Sequence, residues 1–259
     1  MHALIINMAS ATDRMAFMTA QMAHFGFVWE RIEAITPETL APGQANPVWH
    51  RWERPLRVTE MALCASHMAA WTQVVALNAP CLVLEDDAVL AAGLPAFLAQ
   101  VQTLAGIDHI SLETRGRRKS MGPLRNDLPM RRLWQDRTGS AAYVAWPSGA
   151  AKMLAQARTA GAPSDALISA TPRLLSWQAD PALAVQLDIA DHYGVPRALA
   201  TTSLIDAVRK PVASAGYGAA ERRAFRRRRI LSQLRIGMRM LRGRRAEVQA
   251  ARDWPKISL

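Results

Sequence analysis

Cys81-Leu82-Val83-Leu84-Glu85-Asp86-Asp87 decides how this chain is read. Four apolar residues have the length and character of a buried strand, and three carboxylates follow at once. Charge at the end of a buried strand is costly unless something compensates it. A divalent cation does so well, because hard cations take carboxylate oxygens and leave positions for phosphate oxygens. In open α/β sheets, ligands bind at the carboxyl ends of the strands. Place and chemistry therefore agree on a metal–phosphate site. A solvated acidic turn is the competing reading of the tetrapeptide taken alone.

Outward from that stretch, apolar runs alternate with helical patterns, which predicts an α/β fold. Ala3 to Asn7 reads as the first strand. Ser10 and Asp13 have capping-box spacing, ahead of a helix to about Phe25 with Met15, Met18, Met22 and Phe25 on one face. A weaker strand region spans 28–35. Residues 36–58, rich in Pro, Trp and Arg, read as a long surface connection. A helix capped by Thr59 runs to about Leu77, before the central strand. A third helix spans about 95–104, and His109 to Leu112 is a short strand. Residues 113–132 are polar and basic. Gly139 to Ala145 reads as a strand and 147–157 as a helix. Another helix follows Pro163, and 184–187 is strand-like.

The 259 residues suffice for one sizeable domain, and 50% of them are hydrophobic. No apolar run is long enough to span a membrane. The N-terminus lacks the basic and apolar regions of a signal peptide. Cys64 and Cys81 fall in apolar segments and read as structural thiols. Together these features point to the cytoplasm. The net charge of +11 is unevenly spread: residues 209–259 hold 15 Lys and Arg against 3 Asp and Glu, whereas the preceding 208 hold 17 against 18. The expected organisation is a nearly neutral body, 1–208, followed by a basic helical tail, 209–259.

Several pieces stand in an order that resembles glycosyltransferase family 25, the lipopolysaccharide and lipooligosaccharide glycosyltransferases. Ile5-Ile6-Asn7 with Thr12-Asp13-Arg14 is similar to the family's opening block. Thr59-Glu60 through Ser66-His67 and Trp71 is similar to its second, and Leu84-Glu85-Asp86-Asp87 to its third. Leu112-Glu113-Thr114-Arg115, Gly139-Ser140-Ala141-Ala142-Tyr143 and Pro163-Ser164-Asp165 are similar to later blocks. The resemblance covers roughly residues 3–190. It departs at Ala62 and Leu63, where the family has Gly and Cys, and Cys64 is shifted by one position.

The resemblance implies a GT-A-like (Rossmann-like) single domain. It also implies inverting transfer of a hexose, typically galactose, from a UDP-sugar to a lipopolysaccharide or other cell-surface glycan. The residues suit that chemistry. A departing diphosphate gathers negative charge, which Mn²⁺, ahead of Mg²⁺, would neutralise. Asp87 is the leading metal ligand. Side chains alternate along an extended segment, so its partner is Glu85; if the chain turns there, it is Asp86. An inverting transfer needs a base, and Asp165 and Glu113 are the candidates. Their structural alternatives are a helix cap for Asp165 and a salt bridge for Glu113. Donor contacts implied by the blocks are Asn7, Arg14, Glu60, Ser66 and His67, with Glu85 and Asp86. Arg14 and His67 would hold phosphate or ribose, against a solvated arginine and a satisfied core histidine. Arg115, Arg117, Arg118 and Lys119 would meet an anionic acceptor or form a solvated basic loop.

In the tail, Ile230, Leu234, Met238 and Leu241 follow helical spacing, with Leu231 beside them. Arg227, Arg228, Arg235, Arg239 and Arg242 lie mostly away from that stripe. A basic amphipathic helix of this kind reads as binding an anionic membrane surface, here at the inner face of the cytoplasmic membrane. The alternative is a helix that packs its apolar stripe on the body. Nucleic acid is the rival partner, although no recognised nucleic-acid fold accompanies the tail. A catalytically silent scaffold relative is the other competing function.

Overall fold

In the computed structural model, residues 1–195, 199 and 216–257 are described. The expected boundary at 208/209 lies outside the described residues. β1 (His2–Asn7) leads into α1 (Thr12–Phe25), which turns back through Gly26 to β2 (Trp29–Glu33). Gly26 has φ 68°, a left-handed helix end that glycine adopts without strain. α1 starts one residue later than Ser10 would place it, behind Ala11, so the expected capping box does not form.

The connection to the next strand is not loose. It holds the short α2 (Pro37–Leu40) and two 3₁₀ turns, and it buries Trp49, Trp52 and Leu56. A Cβ on Gly161 would stand 2.2 Å from the Trp49 ring, so glycine is needed where these segments meet. α3 (Val58–Leu77) then delivers the chain to β3 (Cys81–Glu85). After the Asp86-Asp87 turn come β4 (Ala88–Leu90), α4 (Leu94–Val101) and β5 (His109–Ser111). The stretch expected as a basic loop folds largely into a hairpin, β6 (Lys119–Leu124) and β7 (Met130–Gln135). β8 (Ala142–Ala145), α5 (Pro147–Thr159), α6 (Ser164–Ala170), β9 (Ser176–Ala179) and β10 (Ala184–Gln186) follow. A 3₁₀ segment, Leu187–Tyr193, succeeds β10. α7 (Ala219–Met240) and β11 (Arg244–Ala246) complete the described elements.

One mixed sheet runs β11-β6-β7-β9-β5-β8-β3-β1-β2, and β10 pairs separately with β4. β2, β1 and β3 are mutually parallel, and β8 is antiparallel to both β3 and β5. Alternation along the strands feeds two cores. Ala3, Ile5, Leu82, Leu84, Ala142 and Val144 enter the core beneath α1 and α4. Leu4, Ile6, Cys81, Val83, Tyr143 and Ala145 enter the one shared with α3, α5 and α6. The chain is thus an α/β sandwich of helices about a central sheet. Cys64 and Cys81 are free and buried.

The end of the expected tail is built into the body. β11 pairs with β6 at the sheet edge, Val248 is buried, and Ala250 bridges Ala182. α7 docks through a face that the sequence pattern did not single out. Phe225 is buried, Arg228 donates to the carbonyl of His50 at 2.7 Å, and Arg239 donates to that of Ser169. The apolar stripe faces away: Ile230, Leu231, Leu234, Met238 and Leu241 are 53, 44, 60, 60 and 88% exposed. Packing of that stripe on the body is therefore excluded. No helix among the described residues is long and apolar enough to cross a membrane.

Candidate active site

The carboxyl ends of β1, β3 and β5 lie at one edge of the sheet. β8, running the other way, begins there. β2 and β3 flank β1 on opposite sides, so the chain order switches between β1 and β3, where open sheets form ligand crevices. The register sets Ile6 beside Glu85, which brings Asn7 next to Asp86. Asn7 Nδ2 donates to Asp86 Oδ2 at 2.8 Å, and Arg14 reaches from α1 to Asp86 Oδ1 at 3.0 Å. The first and third sequence blocks are thus joined by one carboxylate. Burial raises the Asp86 pKa, with Arg14 and Asn7 opposing the shift.

Glu85 is held by a separate set of partners. Its Oε1 lies 3.2 Å from His67 Nε2 and accepts from Ser140 Oγ at 2.9 Å. Burial pushes this carboxyl up, but the hydrogen bond and charge of His67, with Ser140, more than offset it and the pKa is lowered. Trp71 Nε1 donates to Tyr143 Oη at 2.8 Å, and His67 Nδ1 lies 2.9 Å from the same oxygen. His67 thus bridges the Tyr143 hydroxyl and the Glu85 carboxylate through its two ring nitrogens. Ser140 also meets Ser164 at 2.7 Å. Residues from α3, β3, the start of β8 and α6 therefore converge on one carboxylate.

Asp87 differs from both neighbours. Its Oδ1 is buried without a hydrogen-bond partner among the described residues. Its pKa is raised to about 7 by burial and by the charges of Glu85, Asp86 and Asp188. Asp188, from the 3₁₀ segment after β10, binds Arg115 through Oδ2 at 2.7 Å and has an equally unpartnered Oδ1. No described group of three or more His, Cys, Asp or Glu side chains is arranged to hold a metal alone. Magnesium-like ions at nucleotide sites use one or two carboxylates and complete their shells with phosphate and water. Asp87 with Asp188 fits that kind of site.

Glu85 and Asp87 open on a cleft of about 630 Å³. Arg115, Arg117, Arg137 and Arg229 also line it, as do Glu60 and Asp165. Glu60 is bidentate to Arg54 at 2.8 and 2.7 Å and accepts from the Arg57 amide, so it orients an arginine at the cleft wall. Asp165 sits in the first turn of α6, where its Oδ1 accepts, among the described residues, only from the adjacent Ala166 amide. Pro163 occupies the cap position, so Asp165 is no helix cap. Burial is the main cause of its raised pKa.

Other expected site residues are placed differently. Ser66 is turned from the cleft: it accepts from the Ile35 amide at 2.8 Å and donates to the Ala62 carbonyl at 2.9 Å. Glu113 is 1% exposed and lies beneath the cleft, accepting from the Ala141 amide and Gln186, both at 3.2 Å. Its pKa is raised to about 8, first by burial. A Cβ on Gly139 would stand 1.9 Å from Glu113 Oε1, so only glycine fits over that carboxyl. Lys119 does not meet an acceptor: it is fully buried and paired with Asp136 at 2.6 Å.

A family model described as glycosyltransferase family 25 (LPS biosynthesis protein) matches residues 1–168. The chain belongs to glycosyltransferase family 25. No curated protein matches it. The family match ends just past Asp165 and so includes every sequence block, while β9, β10, β11 and α7 lie beyond it. Family 25 membership makes the chain a glycosyltransferase of the lipopolysaccharide-biosynthesis type, with a sugar donor and a glycan acceptor. Gln186 and Arg137 of the cleft, and Asp188 beside Arg115, carried no signal in the sequence, and Arg229 was legible only as part of the basic tail. Tyr143 lay within a quoted block without an assigned role.

Proposed function

We propose that this family 25 chain is a metal-dependent, inverting GT-A-type hexosyltransferase. It would use a UDP-sugar, UDP-galactose foremost, and act on a lipopolysaccharide, lipooligosaccharide or other cell-surface glycan. The unpartnered carboxylate oxygen of Asp87, a residue that lines an arginine-rich cleft at the strand switch point, is the observation that carries this reading. A silent scaffold has no use for a buried, uncompensated carboxylate in an open cleft, given the cost of burying such charge.

Asp87 and Asp188 would hold Mn²⁺ or Mg²⁺, which when bound would neutralise the leaving diphosphate. Arg115, fixed by Asp188, and Arg117 and Arg137 supply forked donors for phosphate oxygens at the same wall. Asp86 holds Asn7 and Arg14 at the end of β1 and so sets the rim where the nucleoside would rest. The Trp71–Tyr143–His67 chain orients Glu85 toward the cleft. Asp165 is the base: it lines the cleft, its Oδ1 accepts a backbone hydrogen bond from Ala166 at 2.6 Å, and burial raises its pKa. It takes the proton of the acceptor hydroxyl as that oxygen attacks the anomeric carbon from the face opposite UDP. Glu113 supports the floor beneath Gly139 and Ala141.

A lipid-linked acceptor would bring the reaction to a membrane surface, and α7 would supply a contact to it. Its exposed stripe would enter the interface, flanked by exposed arginines that favour anionic lipid at the cytoplasmic face. Arg228 and Arg239 are committed to carbonyls of the body, which reduces what α7 offers a nucleic-acid backbone. The test is release of UDP from a panel of UDP-hexoses and GDP-hexoses with Mn²⁺. Turnover of a UDP-hexose supports the proposal; turnover of GDP-hexoses alone, or of none, contradicts it.

A further inference from the structure

A second cavity, of about 480 Å³, adjoins the donor cleft and meets it at Gly139, Ser140 and Asp165. Its volume lies within the range of small-molecule sites, about 300–1,000 Å³. The cavity has two chemical characters. Leu133, Ile168 and Leu174 give it an apolar lining suited to the C–H face of a sugar ring. Its remaining wall is basic: Arg132 from β7, Arg173 from the turn after α6, Arg239 from the last turn of α7 and Arg242 from the turn after it.

Those arginines are short of counter-charge. None of the four has a carboxylate in ion-pair contact among the described residues. Of the two acidic side chains at the cavity, Asp136 is taken by Lys119 at 2.6 Å and Asp165 belongs to the junction with the cleft. Burial lowers the Arg239 pKa, and the charges of Arg137, Arg235 and Arg242 lower it further. Such crowding of like charge costs stability until an anion enters. Two neutral polar atoms of lining residues also lack partners: Trp134 Nε1 and His109 Nδ1 are buried without a hydrogen bond among the described residues. His109 stays neutral because burial drives its pKa down to about 3.

We propose that this cavity is the acceptor subsite and that it selects a saccharide carrying an anionic substituent, phosphate or carboxylate, held by Arg173 and Arg242 beside the charge of Arg239. The assignment rests on the reading of the neighbouring cleft as the donor site. A sugar seated with its anion against these arginines presents a hydroxyl toward Asp165, at the only stretch the two cavities share among their described lining residues. Arg173 and Arg242 both lie beyond the family match, as does Arg239 in the last turn of α7. Acceptor choice would thus be set by a segment that the family pattern does not cover.

The test is ligand-observed NMR titration of the full chain with glucose, glucose 6-phosphate and glucuronate. Arg173→Gln and Arg242→Gln are the test variants; both arginines are exposed, so neither change should unfold the chain. Arg158→Gln on α5 removes one charge elsewhere as a control. One or both anionic sugars should bind about tenfold more tightly than glucose, and each test variant should erase most of that preference, as expected for loss of a charged hydrogen bond. The contrast between glucose 6-phosphate and glucuronate tells phosphate from carboxylate selection. Equal binding of charged and neutral sugars overturns the proposal, as does a preference that survives both variants or falls equally in Arg158→Gln. UDP titrated into the same samples reports on the donor cleft separately. If UDP binds while anionic sugars show no preference, only the acceptor assignment fails.

Discussion

His67 Nε2 stands 3.2 Å from Glu85 Oε1 and ties the middle of α3 to the end of β3. The same imidazole meets Tyr143 at 2.9 Å and is fully buried. His67→Phe keeps a ring but leaves the Tyr143 hydroxyl and the Glu85 carboxylate each short of a partner. The expected cost is about 1–3 kcal/mol for each orphaned group. Chemical denaturation measures it. Glu85→Gln, which keeps an acceptor oxygen for His67 and Ser140, should cost less. Wild-type stability in His67→Phe would show that the chain of contacts does not hold Glu85.

Asp165→Asn should lower turnover by at least about 100-fold with little change in the donor KM, because a base acts in the transition state. Its only hydrogen bond among the described residues is from the next amide, which Asn can also accept, so stability should stay close to wild type. Unchanged turnover would remove Asp165 from the mechanism.

Glu113 gives a pH prediction. Its folded pKa of about 8 lies above its ordinary value of 4.5. Between those values the folded protein holds a proton that the unfolded chain has released. Stability from this group is therefore fully present below about pH 4.5 and is lost as pH rises toward 8. Glu113→Gln has no proton to lose and its carbonyl oxygen can accept from Ala141 and Gln186. Thermal melts from pH 5 to 9 should show a shallower decline in the variant. Parallel curves would contradict the buried, protonated state.

The outward stripe of α7 predicts that Leu234→Glu with Met238→Glu abolishes sedimentation with anionic vesicles. Both side chains are 60% exposed, so the melting temperature should not move. Wild-type binding should weaken with added salt, through screening, yet keep a salt-resistant part from the apolar contact. Undiminished sedimentation of the double variant would exclude this face. Truncation at 209 cannot replace this experiment, because it also strips β11 and Val248 from the sheet and should lower stability by itself.

The central α/β unit was legible because its signals are local. β1, α1, α3, β3 and α5 are marked by apolar runs and helical spacing that short windows contain. β4, β9 and the β6–β7 hairpin were not, since they are short or polar and owe their form to partners far along the chain. Arg132 is one case: it reads as loop charge, yet it lies in β7 and donates to the carbonyls of Ser176 and Leu174. The carboxylates of 85–87 announced the site, but their division of labour was set by tertiary neighbours, 79 positions away for Asn7 and Asp86. Asp188 carried no motif. In α7, helical spacing identified a stripe but not its direction, because the docking face uses Arg228 and Arg239 as donors to carbonyls rather than apolar side chains alone.

Calorimetry of UDP binding to the full chain, in Mn²⁺ and in EDTA, tests the central claim most directly. The account predicts that Mn²⁺ strengthens UDP binding at least tenfold, and that Asp87→Ala removes the gain while leaving the metal-free affinity near wild type. Equal affinity in Mn²⁺ and EDTA, or a metal-dependent gain that survives Asp87→Ala, would contradict it.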